Sequence, residues 1–376
     1  MKSVCGIYRF VKDVNFMLKL EKPFYHFLLF AVTFLFIRII AVYTSFADVI
    51  FPGINYFFAK IGSKFSSIFP FSLGDVFYSI LGLMIIIFIV KIIIAVIRKN
   101  WLKIKKMISI LFIGLTIIIL IFHFFWGFNY YKTPIKEYYN SEKINTEELK
   151  RLAEFYLKKS IETREFVYEN QEGVFTVSLT PEELNENILI SSSNLKKYNE
   201  LQLERITKPN LKKSLYSEGF SYMGVLGYYN PFTAEAQYNS KMPDTKLLFT
   251  KFHEVAHQWG FAAESEANFV GFLIGVQSEN KEFNYVSNYK ALRSLLNKII
   301  WEDPIYVQIM LTAYSTKMKK DREYELLIQE KYLHSADDTF SMLNEAYLQL
   351  NNQDGLESYG QFVELLVGYH RKHNLP

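Results

Sequence analysis

A chain of 376 residues, 50% hydrophobic and 17% aromatic, has room for a membrane region and one or two soluble domains. Its mean hydropathy of only +0.05 shows that very apolar segments are offset by a polar remainder. A net charge of +4 with no basic stripe interleaved with aromatics excludes nucleic acid as an expected partner, and the single Cys5 excludes an intramolecular disulfide and a cysteine-based zinc site.

The N-terminus carries Lys2, Arg9, Lys12, Lys19 and Lys22, and an apolar run over 24–46 then has the length of a bilayer-spanning helix. It is too long for a cleaved signal peptide and lacks a small-residue cleavage site. Arg38 within it must face other helices or reach for the interface. The connector 48–75, with Pro52, Pro70 and several aromatics, reads as a short helix in the interface or a plain loop. A second span follows at 76–97, a basic hairpin at 98–106, and a third span at 107–128 that closes in the aromatic belt Phe124-Phe-Trp-Gly-Phe-Asn-Tyr-Tyr131. Both basic segments belong in the cytoplasm by the positive-inside rule, so three crossings put everything after Tyr131 outside the cell membrane. The expected division is a membrane region over 1–131, in contact with lipid, and an extracytoplasmic domain over 132–376.

Beyond 132 the composition is that of a soluble domain. Leu149, Leu152, Tyr156 and Ile161 recur at helical spacing, and 166–179 reads as extended or loop. Thr180-Pro-Glu-Glu183 starts a helix with a capping box that runs toward 193, and a further polar helix to about 204 is expected. Two strands, 215–226 and 228–239, are expected to meet near Gly227, with Pro231 marking the second as an edge strand. Such an edge can pair with an extended peptide, although Tyr228, Tyr229 and Phe232 would equally serve as core. Pro243-Asp244-Thr245 stops the strand and caps the next helix, and helices are expected at 262–278, 284–300, 303–319, 321–332, 338–350 and 358–372.

The chemistry concentrates at His253, Glu254 and His257, spaced H-E-x-x-H. On a helix the two imidazoles share a face and can converge on one zinc ion, with Glu254 placed as general base for water at the metal. Gly260 can end the helix at positive φ and turn the chain back. A third protein ligand is needed: Glu264 lies just past the turn and is preferred, Glu266 is the alternate, and Asn268 could brace Glu264 from four residues on. The apolar run 269–276 is too short to span a membrane, so this helix belongs to the soluble domain. An oxyanion donor is also required, for which Tyr359, Tyr228, His334 and Arg293 are eligible. His370 and His373 read as solvated tail residues.

The run from His253 to Phe269 resembles the bacterial family called domain of unknown function 3810, as do Gly227-Tyr-Tyr-Asn-Pro-Phe-Thr-Ala-Glu-Ala-Gln237 and Asp354-Gly-Leu-Glu-Ser-Tyr-Gly360. The resemblance implies membrane spans joined to a zincin-like domain, and it puts Tyr359 first among the oxyanion candidates. Glu264-Ser-Glu-Ala-Asn268 is also similar to the E-x-x-A-D signature of CAAX-prenyl-protease-type membrane metallopeptidases, which implies Glu264 as third zinc ligand, with Asn268 in place of Asp and a much shorter gap from the histidines. The expected fold is mainly α: three N-terminal transmembrane helices, then a zincin-like α+β extracytoplasmic domain with a small β-hairpin before the active-site helix. The expected function is a membrane-anchored zinc peptidase acting on a peptide or protein. A catalytically silent metal-binding sensor and a zinc amidase acting on cell-envelope material are the alternatives.

Overall fold

The computed structural model describes residues 22–41, 43, 46–139, 143–201, 203, 206–332 and 358–375, with side chains of the last helix from 361 onward. Cys5, the basic N-terminus and the helix expected at 338–350 lie outside the described residues.

The protein is mainly helical, and three helices are long and apolar enough to cross a membrane: α1 (Lys22–Ala41), α3 (Leu73–Ile97) and α4 (Trp101–Phe125). The first ends at Ala41, short of the expected 46, and a π-turn, Phe46–Ile50, follows. The basic hairpin shrinks to a turn at Lys99 (φ 48°), because the Asn100 side chain caps α4 by accepting the Lys103 N–H at 3.0 Å. Lysine is a good helix former whose stem can run along an apolar surface, so charge alone does not break the helix. Arg38 donates to the Tyr131 hydroxyl at 2.6 Å, which satisfies it near the end of α1. The connector contains α2 (Phe51–Ser66), with Pro52 in its first turn, where no N–H is needed.

In the polar half, α5 (Thr146–Arg164) is capped by Asn145, and α6 (Pro181–Leu195) starts with the capping box of Thr180 and Glu183. The further polar helix is only a 3-10 turn, Asn199–Leu201. A three-stranded sheet has the order β1 (Leu211–Lys213), β3 (Glu235–Tyr238), β2 (Gly227–Asn230), with β1 parallel and β2 antiparallel to β3. The expected strand 215–226 is replaced by a short helix, α7 (Ser217–Tyr222), and the hairpin turns at 231–234 instead of Gly227. Asn230 sets that turn: its Oδ1 accepts the N–H groups of Phe232 (2.9 Å) and Thr233 (3.2 Å).

Five helices follow: α8 (Asp244–Gln258), α9 (Glu264–Val276), α10 (Lys281–Ile299), α11 (Pro304–Thr312) and α12 (Thr316–Tyr332); a last helix spans Ser358–His373. Asp244 does not cap α8 but accepts the Val177 N–H at 2.9 Å. The main core packs α5, α8, α9, α10 and the last helix through Tyr156, Phe252, Phe269, Phe272, Leu292 and Leu366. A smaller core at the ends of the membrane helices joins Ile37, Ala41, Phe51 and Phe128.

Two buried polar assemblies fix this arrangement. Arg164 on α5 is fully buried and binds Asp321 on α12 at 2.7 and 3.1 Å; Asp321 also accepts the Phe175 N–H (2.7 Å) and the Tyr285 hydroxyl (2.5 Å). At the amino end of α3, Glu235 of β3 accepts the N–H groups of Leu73 (3.0 Å) and Gly74 (2.6 Å), while Asp75 accepts the Leu215 N–H and the Tyr228 hydroxyl, each at 2.6 Å. A carboxylate on the exposed N–H groups of a helix start is the charge that end favours. The hairpin is thereby fastened to α3.

Candidate metal centre

The spacing of His253 and His257 puts both rings on one face of α8. The helix ends in a Schellman turn, with Gly260 N–H on the His257 carbonyl (2.8 Å) and Phe261 N–H on that of Ala256 (3.2 Å). Gly260 sits at φ +95°, a conformation that strains any other L-residue. The reversal brings Glu264, the first residue of α9, back onto the imidazoles.

His253 Nε2 and His257 Nε2 lie 3.0 Å apart, and the Glu264 carboxylate lies 3.2 Å from the first and 3.6 Å from the second. Tetrahedral zinc with bonds of about 2.1 Å holds its ligand atoms roughly 3.4 Å from one another, so the three donors fit a single ion. His257 Nδ1 donates to the Phe261 carbonyl at 2.6 Å, so in the neutral ring, the form that binds a metal, the lone pair sits on Nε2, facing the other two groups. Burial lowers the His253 pKa. At His257 burial acts the same way, but the hydrogen bond and charge of Glu264 prevail and push it up to about 9. Desolvation works against ionisation of the half-buried Glu264, yet hydrogen bonds to both imidazoles hold its carboxyl well below the usual range. A negative carboxylate facing two imidazole lone-pair positions is a donor set suited to a divalent cation.

Glu254 is only 3% exposed, and burial pushes its carboxyl up to about 8. Its Oε2 has no hydrogen-bond partner among the described residues, a costly condition for a buried carboxyl oxygen that a water or another donor would relieve. Gly227, at the start of β2, faces it: a Cβ there would stand 2.7 Å from Glu254 Oε1 and 2.6 Å from the Gln237 carbonyl. Gly227→Ala ordinarily gains strand stability. Here it is expected to lose about 1–3 kcal/mol through overpacking, read as a lower midpoint in chemical denaturation.

The remaining candidates lie elsewhere. Glu266 turns away from the histidines and accepts the Ile135 N–H at 2.7 Å, and burial pushes its carboxyl up to about 7. Asn268 donates to the Glu264 main-chain carbonyl at 2.9 Å, bracing the backbone that carries that carboxylate. Tyr228 is committed to Asp75, and Arg293 to Glu325 and the face of Tyr289. His370 is not a solvated tail residue: it is buried, with Nε2 2.6 Å from the Tyr156 hydroxyl, because the last helix packs on α5. His373 is exposed, its ring tilted against that of Tyr369. Tyr359 falls in the first turn of the last helix, with its side chain outside the described residues, as is all of His334.

Sequence reasoning missed Tyr229 and Trp126. Side chains alternate along a strand, so Tyr229 shares the Gly227 face of β2, whereas Tyr228 points to α3. The Tyr229 ring lies 4.8 Å from that of Trp126, the residue after α4, and Trp126 lies 6.1 Å from the His257 ring. Burial raises the Tyr229 pKa, keeping its hydroxyl a donor. The two-residue period was the available signal for Tyr229; nothing local marked Trp126 beyond the aromatic belt.

No curated protein and no solved structure matches the chain. The family model described as "Protein of unknown function (DUF3810)" matches residues 46–367, a stretch that takes in α2, both later membrane helices and the whole His253–Glu264 centre. Over that length the resemblance of the three motifs becomes membership, and the chain belongs to the DUF3810 family.

Proposed function

We propose that this protein is a membrane-anchored zinc-dependent peptidase whose polar half faces away from the cytoplasm. The observation that carries the reading is the convergence of His253, His257 and Glu264 beside the buried Glu254, whose Oε2 has no partner among the described residues. Those three residues would hold the zinc, which supplies Lewis acidity and makes water a better nucleophile near neutral pH. Glu254 takes the proton of the attacking water and later delivers it to the leaving amine. Tyr359 remains the donor to which the family motif points for the developing oxyanion, and Tyr229 is a second candidate on the Glu254 side of β2, whereas the Tyr228 hydroxyl is spent on Asp75. The outer edge of β2, beside Glu254, offers backbone groups to an extended substrate. The zincin-like character of the polar half and its placement outside the cell rest on this motif and on the basic residues at 98–106.

Metal analysis of the purified full-length chain tests the centre. Wild type and Glu266→Ala are expected to carry one equivalent of zinc and Glu264→Ala to lose most of it. Equal retention by both variants, or a wild type without zinc, would reject the ligand set.

A further inference from the structure

We infer that α2 lies in the lipid–water interface and holds the metal centre against the bilayer surface, so that the substrate of the peptidase proposed above is itself anchored in the same membrane. The substrate class rests on that reading; the seating of α2 does not.

Two faces of α2 carry the inference. One face is buried: Phe51, Asn55, Ala59 and Ser63 recur every four residues. It packs under the metal-bearing half. A Cβ on Gly62 would stand 3.1 Å from that of Ala234 in the hairpin turn, and the Ser66 hydroxyl donates to the Thr233 carbonyl at 2.8 Å. Asn55 Oδ1 lies 3.1 Å from where a Cβ on Gly260 would sit, in the turn between the histidines and Glu264. The other face bears Phe57, Ile61 and Phe65, which are 57%, 53% and 61% exposed, with Lys60 and Lys64 beside them. An apolar stripe flanked by lysines on a helix between membrane spans is the pattern of a helix bedded among headgroups.

The neighbours of α2 say what covers that stripe. Phe58 stacks on Phe125, the last residue of α4, with ring centroids 4.4 Å apart, and Asn55 donates to the Phe125 carbonyl at 2.5 Å. The stripe is therefore continuous with the apolar surface of a membrane helix, and lipid is its occupant. On the other side the metal centre is only one ring away from the same point: Trp126 follows Phe125 directly and lies against His257. Lys132, just past that turn, donates to the Gly260 carbonyl at 3.2 Å. A helix with side chains is about 10 Å thick, so a centre resting on one reaches bonds just outside the headgroups, not those of a protein free in solution.

The test uses the full chain in vesicles of phosphatidylethanolamine and phosphatidylglycerol. Single cysteines replacing Phe57, Ile61 or Phe65 in a Cys5→Ser background, labelled with bimane, are expected to be quenched by doxyl-labelled lipid, and Lys319→Cys on α12 is not. Casein peptides fused behind a transmembrane segment in the same vesicles are expected to be cleaved at least about tenfold faster than the same peptides free in solution. Unquenched α2 positions would overturn the seating. Equal rates on the two substrates, both lost in Glu254→Gln, would overturn the substrate class alone. Cleavage of neither, with α2 quenched, would overturn the peptidase reading and its substrate class while supporting the seating.

Discussion

Glu254→Gln is expected to cut peptide hydrolysis by about 10²–10⁴-fold while zinc content and folding stay unchanged. Glutamine keeps the shape of the side chain but cannot accept the proton of an attacking water. The substitution removes a carboxyl that is 3% exposed, with Oε2 unpartnered, so the variant loses no hydrogen bond at that atom. Burial already disfavours its charged form, and a neutral amide in its place is expected to be at least as stable. Rate on casein peptides, zinc per chain and the denaturation midpoint, measured on one preparation, separate the outcomes. Wild-type turnover in the variant would remove Glu254 from the proton path and leave only the metal site standing.

Asp321→Ala is expected to cost about 3–5 kcal/mol of stability, the largest loss foreseen for any single substitution in the polar half. Arg164 has no exposed surface, and without Asp321 its guanidinium keeps Glu169, the Gly173 carbonyl and the face of Tyr285 among the described residues. The Phe175 N–H and the Tyr285 hydroxyl lose their acceptor in the same step. Replacing both charges, as in Arg164→Met with Asp321→Leu, is expected to recover part of the loss, because an isolated buried charge costs more than a well-packed apolar pair. Recovery stays partial since Phe175 and Tyr285 remain unsatisfied. Chemical denaturation of the two variants checks this, and a single-variant loss below about 1 kcal/mol would mean that water reaches Arg164. The effect extends to the centre, because Tyr285 sits on α10, which packs on both α8 and α9.

The His253–His257–Glu264 cluster was legible because its parts lie within twelve positions and follow helical geometry: two histidines four apart, a glycine where the helix must end, an acid just beyond. That Glu264 and not Glu266 lies beside the histidines also followed from the turn, and Glu266 is drawn off by the Ile135 N–H. Spans 2 and 3 were visible as apolar runs, but their ends were not. Hydropathy falls at Lys103, Lys105 and Lys106 although the helix continues through them. The hairpin was misplaced because Leu215–Leu226 is rich in aromatic and aliphatic residues, and a helix of six residues is too short to declare a period. The turn signal that decided the matter was Asn230-Pro231, not Gly227, whose lack of a side chain serves Glu254. Contacts between the membrane helices and the centre left no local trace. Gly74 and Glu235 meet across 161 positions, and no pattern within a helix or strand announces such a pair.

The clasp between Glu235 and the start of α3 sets a limit on how this protein can be handled. Expressing 132–376 as a free-standing fragment would delete the Leu73 and Gly74 amides and leave the Glu235 carboxylate with the Thr233 hydroxyl and the Gln237 amide as its donors. The hairpin holding Gly227 against Glu254 would then lose its footing, and Gly260 its neighbour Asn55. Any trimmed version meant for crystallisation or assay must therefore retain α2 and the apolar helices α3 and α4, and work on the centre belongs in nanodiscs or detergent rather than in plain buffer.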